Sequence, residues 1–143
     1  MSAHIPAELR RRVAEDAGHR CGYCLSDELL TGVPLTVDHI IPTAKAGETV
    51  RDNLWLACRP CNEYKGMETH ALDPETGELA ALFNPRQQDW FGHFVWSNNG
   101  TQVLGITSAG RATVAALQLN RPLLVRARRR WVAAGWHPPL ELK

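Results

Sequence analysis

The sequence contains no hydrophobic run near the roughly 20 residues that cross a bilayer, and Met1-Ser2-Ala3-His4-Ile5-Pro6 lacks the apolar core of an export signal. No membrane association and a cytoplasmic location are the resulting expectations. Internal repeats and low-complexity tracts are also missing, so the 143 residues read as one small core with an appendage. Cysteine is scarce, four in all, and every one falls into a pair. In a reducing compartment such pairs suit metal ligation better than disulfides. A strong net charge is absent too, with 16 Lys and Arg against 15 Asp and Glu. The balance hides an asymmetry: residues 1–75 carry 8 basic and 12 acidic side chains, whereas residues 76–143 carry 8 basic and 3 acidic. A basic second half suits a polyanion such as nucleic acid.

What is present begins with the cysteines. Cys21-x2-Cys24 and Cys58-x2-Cys61 are two ligand pairs of the kind that hold a structural zinc ion. Closed thiolate coordination leaves that ion no open position for chemistry, so its contribution is to folding. Gly22 is expected to ease the backbone through the first knuckle. Between the pairs, Leu35-Thr36-Val37 is short and β-prone and delivers Asp38-His39 to the end of a strand. Pro42 to Asp52 reads as a loop, and Asn53 to Ala57 is too short to assign. A helix is expected over 6–17, and another from Pro60 to Lys65 ended by Gly66.

Farther on, the turn residues in Leu72–Gln88 suggest a connector. His93–Trp96 and Thr101–Ile106 flank Asn98-Asn99-Gly100 as a β-hairpin. Thr107 or Ser108 is suited to cap a helix to Leu119, and Asn120 to cap another to Ala134, with Pro122 in its first turn. The fold class is therefore α+β: a zinc-stapled core over 1–75, then a basic extension over 76–143 built from a hairpin and two helices packed on that core.

Phosphodiester hydrolysis needs a proton acceptor for water and charge relief on the phosphate. His39 supplies an imidazole, the side chain suited to take that proton. Asp38 and Asn62 supply a hard carboxylate oxygen and a neutral amide oxygen, a donor set for Mg²⁺ or Mn²⁺. Cys21-x2-Cys24, Val37-Asp38-His39-Ile40-x-Pro42, Asn53-Leu54 and Cys58-x2-Cys61-Asn62-x2-Lys65-Gly66 together resemble the HNH endonucleases, the ββα-metal nucleases in their zinc-stapled form. The resemblance covers about residues 18–67, and asparagine stands at position 62 where the family name has its last histidine. It implies DNA cleavage leaving a 5′-phosphate and a 3′-hydroxyl. His39 would be the general base, Asn53 would orient it and fix the loop, and Asp38 and Asn62 would hold the catalytic ion.

The second half resembles the C-terminal extension of some small bacterial HNH proteins, a resemblance that implies no function. Lys65 and the cluster Arg126, Arg128, Arg129 and Arg130 are candidate DNA-phosphate contacts. Trp90, Trp96, Trp131 and Trp136 are read mainly as core, and His19, His70 and His93 receive no role. Two rivals remain at this level. One is a zinc-finger module that binds nucleic acid without cutting it. The other is a zinc-stabilised protein-interaction domain with no affinity for DNA.

Overall fold

The computed structural model describes residues 4–142. The chain forms two compact units: one runs to Thr69 and takes in Asn84–Gln87, the other holds His70–Phe83 and everything from Gln88 on. The division precedes residue 75 because His70 already enters a hairpin of the second unit. Five α-helices and three two-stranded antiparallel sheets are present among the described residues, an α+β fold. No described helix is long and apolar enough to cross a membrane.

In the first unit, α1 (Ala7–Asp16) turns Val13 into the core. The first cysteine knuckle follows, closed by the bridge between Arg20 and Asp27. A short α2 (Glu28–Thr31) starts at Asp27, whose carboxylate accepts from Leu29 N at 2.8 Å. Strand β1 (Thr36–His39) pairs with β2 (Leu54–Ala57), with Thr36 opposite Ala57 and His39 opposite Leu54. Helix α3 (Arg59–Lys65) completes a ββα unit and ends where Gly66 adopts φ 55°, a left-handed value that disfavours a Cβ. The strand at 54–57 escapes a sequence reading because four residues show too little periodicity. Its Leu54 and Leu56 nevertheless lie in the core beside Val13 and Tyr23, and each such burial is worth about 1.5–3 kcal/mol.

In the second unit, β3 (His70–Leu72) and β4 (Leu79–Ala81) form a hairpin where a connector was expected. The turn residues at 73–77 mark its tip rather than a linker. Asp73 accounts for this order: fully buried, it accepts from Ser108 at 2.9 Å and from the Arg111 guanidinium at 2.9 and 3.0 Å. Arg111 holds the Asp73 carboxyl well below the ordinary range. Strands β5 (Phe94–Ser97) and β6 (Gln102–Gly105) form the expected hairpin. Helix α4 (Ser108–Ala116) is capped by Thr107, which accepts from Gly110 N at 3.0 Å.

Helix α5 (Pro122–Ala133) does not use Asn120 as its cap. The Asn120 amide instead accepts from Val103 N at 2.7 Å and donates to Val103 O at 2.9 Å. It thus satisfies both polar groups of a β6 residue, as a neighbouring strand would. Trp90 and Phe94 are buried, Trp96 stacks 5.0 Å from Trp90, and Phe83 meets Phe94 at 5.2 Å, so these aromatics are core. Trp136 is exposed and stands apart from them.

Candidate metal centre and active site

The four cysteine sulfurs lie within 4.8 Å of one another, with Cys21, Cys24 and Cys61 buried and Cys58 half-buried. Cys24 Sγ and Cys58 Sγ are 3.6 Å apart. A tetrahedron with Zn–S bonds of about 2.3 Å has edges of about 3.8 Å, so the sulfurs already stand at zinc-binding separation. One pair comes from a knuckle held by Cys21 N to Ser26 O at 3.0 Å and Leu25 N to Cys21 O at 3.0 Å. The other comes from the first turn of α3, with Cys58 at its N-cap.

Burial pushes the Cys21 thiol well up, while hydrogen bonding with Cys21 holds Cys24 well down. Four thiolates cannot coexist there without a cation, and a dication resolves the conflict. The tetrad is a zinc-binding site. Gly22 serves it through space rather than curvature: a Cβ there would overlap the Trp55 ring and Pro85.

The proposed hard-ligand residues sit on the α3 side of β1. Asp38 is 3% exposed. Tyr23 OH donates to its Oδ2 at 2.7 Å and Lys65 Nζ to its Oδ1 at 3.2 Å. Burial raises the Asp38 pKa, against the opposing pull of Lys65 and Tyr23. Two residues earlier on the same face, Thr36 Oγ1 accepts from Asn62 Nδ2 at 3.1 Å. The Asn62 amide nitrogen is thereby used, and its oxygen remains as a donor atom for an ion.

His39 follows Asp38 as the last residue of β1. Its Nε2 lies 3.0 Å from Thr49 Oγ1. Asn53 fastens the loop between them: its Oδ1 accepts from Ile41 N at 2.9 Å, and its Nδ2 donates to Ile41 O at 3.0 Å and Glu48 O at 2.9 Å. The ladder extends one step further, with Ile40 N donating to Asn53 O at 2.8 Å. Asn53 therefore pins the chain just after His39 and just before Thr49, at the two ends of the loop that joins them, through backbone groups. Asp38 and Thr36, the partner of Asn62, face α3, and His39 ends the strand, held through the Asn53 loop.

Two expected DNA contacts are corrected. Lys65 is 2% exposed, and its ammonium also donates to His39 O at 3.1 Å and Ile40 O at 3.2 Å. It is a core cation balancing Asp38, not a surface phosphate ligand. Arg128 is fully buried, donating to Thr101 O at 3.1 Å and lying 5.5 Å from the Trp96 ring centre. Arg126, Arg129 and Arg130 are exposed on α5.

Tyr23 and Thr49 join the site without having been singled out. Tyr23 sits inside the first Cys-x2-Cys, where it passes for turn filler, and no pattern marks Thr49. His93 is structural, its Nδ1 2.7 Å from Thr107 Oγ1, and His19 meets Glu28 at 3.0 Å.

The donor types at Asp38 and Asn62, a carboxylate and an amide oxygen, fit a hard divalent ion. The Lys65 ammonium and the Tyr23 hydroxyl already hold the two Asp38 oxygens, so an ion bound there would have to displace one of them.

Compared with known proteins, residues 21–68 match the family model described as HNH endonuclease. No significant match is found among curated proteins or among solved structures.

Proposed function

With residues 21–68 forming an HNH domain, we propose that this chain is a divalent-metal-dependent endonuclease that hydrolyses DNA phosphodiester bonds. The observation that carries the reading is the placement of Asp38, His39, Asn53 and Asn62 on one ββα unit stapled by four cysteines. A zinc fold that only binds has no need of that set. HNH proteins are generally endonucleases, which makes nucleic acid the substrate class.

In this reading His39 Nε2–H donates to Thr49 Oγ1, which fixes the tautomer and leaves Nδ1 to take the proton of the attacking water. Asn53 keeps the base in place by pinning residues 41 and 48. Asp38 and Asn62 hold the Mg²⁺ or Mn²⁺ ion, which when bound relieves phosphate charge and stabilises the leaving alkoxide. The products are a 5′-phosphate and a 3′-hydroxyl. Zinc remains with the cysteines and takes no part in the chemistry.

Plasmid nicking tests this. Zinc-loaded protein is incubated with supercoiled DNA and Mg²⁺ or Mn²⁺, beside His39→Ala and Asn62→Ala. General-base catalysis contributes about 10²–10⁴-fold, so His39→Ala should lose at least about 100-fold in rate. Nicking that persists in His39→Ala refutes the assignment of the base. Binding without nicking in either metal makes the chain a nucleic-acid-binding module instead, the reading that the Lys65 ammonium on Asp38 favours.

A further inference from the structure

From Trp90 to Leu140 the sequence contains six arginines and no aspartate or glutamate. Three of the six are engaged within the second unit. Arg111 is tied to Asp73, Arg121 donates to the carbonyls of Leu117 and Gln118, and Arg128 is buried. Arg126, Arg129 and Arg130 remain exposed on α5, spaced three and four residues apart and hence on neighbouring parts of one face. No carboxylate pairs with any of them among the described residues.

Arg129 is exposed and also borders an open cleft. It lines that cleft, of about 430 Å³, together with Asn98, Asn99, Thr101 and Gln102 of the β5–β6 turn. Val132 and Ala133 complete a lining that offers one guanidinium, three amides and a hydroxyl, and no acidic group. Asn98 Nδ2 donates to Gln102 Oε1 at 2.7 Å, so the Gln102 amide is left with its NH₂ to give.

The turn is held from beneath. Asn98, Asn99 and Gly100 all take left-handed backbone angles, with φ 49°, 58° and 86°. His137 Nε2 lies 2.9 Å from Gly100 O, and Arg128 Nη1 donates to Thr101 O at 3.1 Å. Arg128 and Arg129 thus divide the work: one faces inward and sets the turn, the next faces outward and lines the cleft beside it. A shape fixed before the ligand arrives avoids part of the ordering cost of binding.

We propose that this cleft is a DNA-backbone site. Arg129 takes a phosphodiester oxygen pair, the Asn99 and Gln102 amides donate to phosphate and sugar oxygens, and Arg126 and Arg130 meet flanking phosphates. Guanidinium and amide donors are the groups that proteins direct at phosphate oxygens. The absence of carboxylates removes the repulsion that would reject a polyanion. A cleft of about 430 Å³ lies in the small-ligand range, suited to a nucleotide unit of the strand rather than a whole duplex. The site supplies affinity without base readout. The choice of DNA as the polyanion rests on the nuclease reading; the cleft and its charge do not.

The test is fluorescence anisotropy with a labelled DNA duplex, using zinc-loaded protein without magnesium or manganese so that nothing is cut. Parent, Arg129→Gln and Asn99→Ala are compared across a salt series. Each phosphate contact adds about 0.9 to the slope of log affinity against log salt. Arg129→Gln should therefore flatten the slope by about 0.9 and weaken binding about fivefold to tenfold at low salt. Asn99→Ala should weaken binding with little change in slope. Because Arg129 is exposed, its variant should keep the parent's melting temperature.

An Arg129→Gln protein with the parent's affinity and slope overturns the proposal. So does polyglutamate competing as well as DNA in an Arg129-dependent way, since the site would then answer to charge alone. Nicking of plasmid by the same preparations separates the two readings. A parent that binds through Arg129 but never nicks loses the nuclease and keeps the cleft. A parent that nicks while Arg129→Gln binds unchanged keeps the nuclease and loses the cleft.

Discussion

Replacing Lys65 by methionine isolates what holds α3 against β1. The ammonium is 2% exposed and the carboxylate it meets is 3% exposed, at 3.2 Å. Methionine fills similar space but leaves Asp38 with only the Tyr23 hydroxyl, and removes donors from the carbonyls of His39 and Ile40. Breaking a buried ion pair from one side costs about 3–5 kcal/mol, because the remaining charge is stranded. For 143 residues at about 2.1 cal/mol/K each, the unfolding entropy is about 0.30 kcal/mol/K. The melting temperature of the zinc-loaded protein should then fall by about 10–15 °C in scanning calorimetry. Asp38→Asn should cost less, since Lys65 keeps two carbonyl acceptors. The double variant should lose at least about 1.5 kcal/mol less than the sum of the singles, the signature of direct coupling. Mg²⁺ should raise the melting temperature of Lys65→Met more than that of the parent, because the ion would meet a carboxylate freed of its ammonium. Additive losses in the double variant, or a fall below about 1 kcal/mol for Lys65→Met, would refute the reasoning.

Chelating the zinc should unfold the first unit, since thiolate-bound zinc contributes on the order of 10 kcal/mol in small domains; nicking should return only with zinc and magnesium together, measured by circular dichroism and plasmid assay. Asp16 receives Arg51 at 2.7 and 2.8 Å and Arg86 at 2.9 Å, and the Arg51 hydrogen bond is the chief cause holding its pKa at about 2. A depressed carboxyl pKa stabilises above the unfolded value of 3.8 and loses that support as pH falls through about 2. After discounting for solvent on the Arg51 side, the contribution is about 1–2 kcal/mol. Asp16→Asn should thus flatten acid denaturation between pH 4 and 2 in a urea series. Arg128→Ala should lower the melting temperature by several degrees through loss of its turn contacts, whereas Arg129→Gln should not move it.

The parts of the site legible in the sequence are those whose chemistry depends on spacing alone. Two Cys-x2-Cys pairs predict a common ion because each knuckle is local, and Asp38-His39 at the end of a β-prone segment predicts functional groups on a strand. What escaped reading depends on the partner across space. Arg128 and Arg129 are chemically identical neighbours on one helix; only the Thr101 carbonyl and Trp96 ring beneath α5 decide that the first turns inward. Asn120 reads as a cap by type, yet the backbone N–H and C=O of buried Val103 claim its amide. Lys65 reads as a candidate phosphate contact until the register of α3 on β1 places it over Asp38. The β3–β4 hairpin hides behind its own turn residues, because three-residue strands give no periodicity and the buried Asp73 that organises the tip lies among them.

The zinc staple and the face that carries Asp38 and Asn62 are linked through register. Cys58 and Cys61 open α3, and Asn62 and Lys65 follow within a turn of the second thiolate. Cys21 and Cys24 precede β1, and Tyr23 between them reaches Asp38 Oδ2. Anchoring both knuckles to one ion therefore sets three contacts at once: Asn62 on Thr36, Lys65 on Asp38 and Tyr23 on Asp38. A one-residue rotation of α3, about 100°, would carry Asn62 away from the face that Asp38 occupies. The zinc site and the proposed ion site would use opposite chemistry, thiolates for a soft ion and oxygens for a hard one, so each ion would have little claim on the other's ligands. On the proposed function, the soft site would stay closed while the hard site exchanged ion, water and phosphate. The price is that the hard donors have no geometry of their own: without zinc, Asp38 and Asn62 lose the helix register that brings them together.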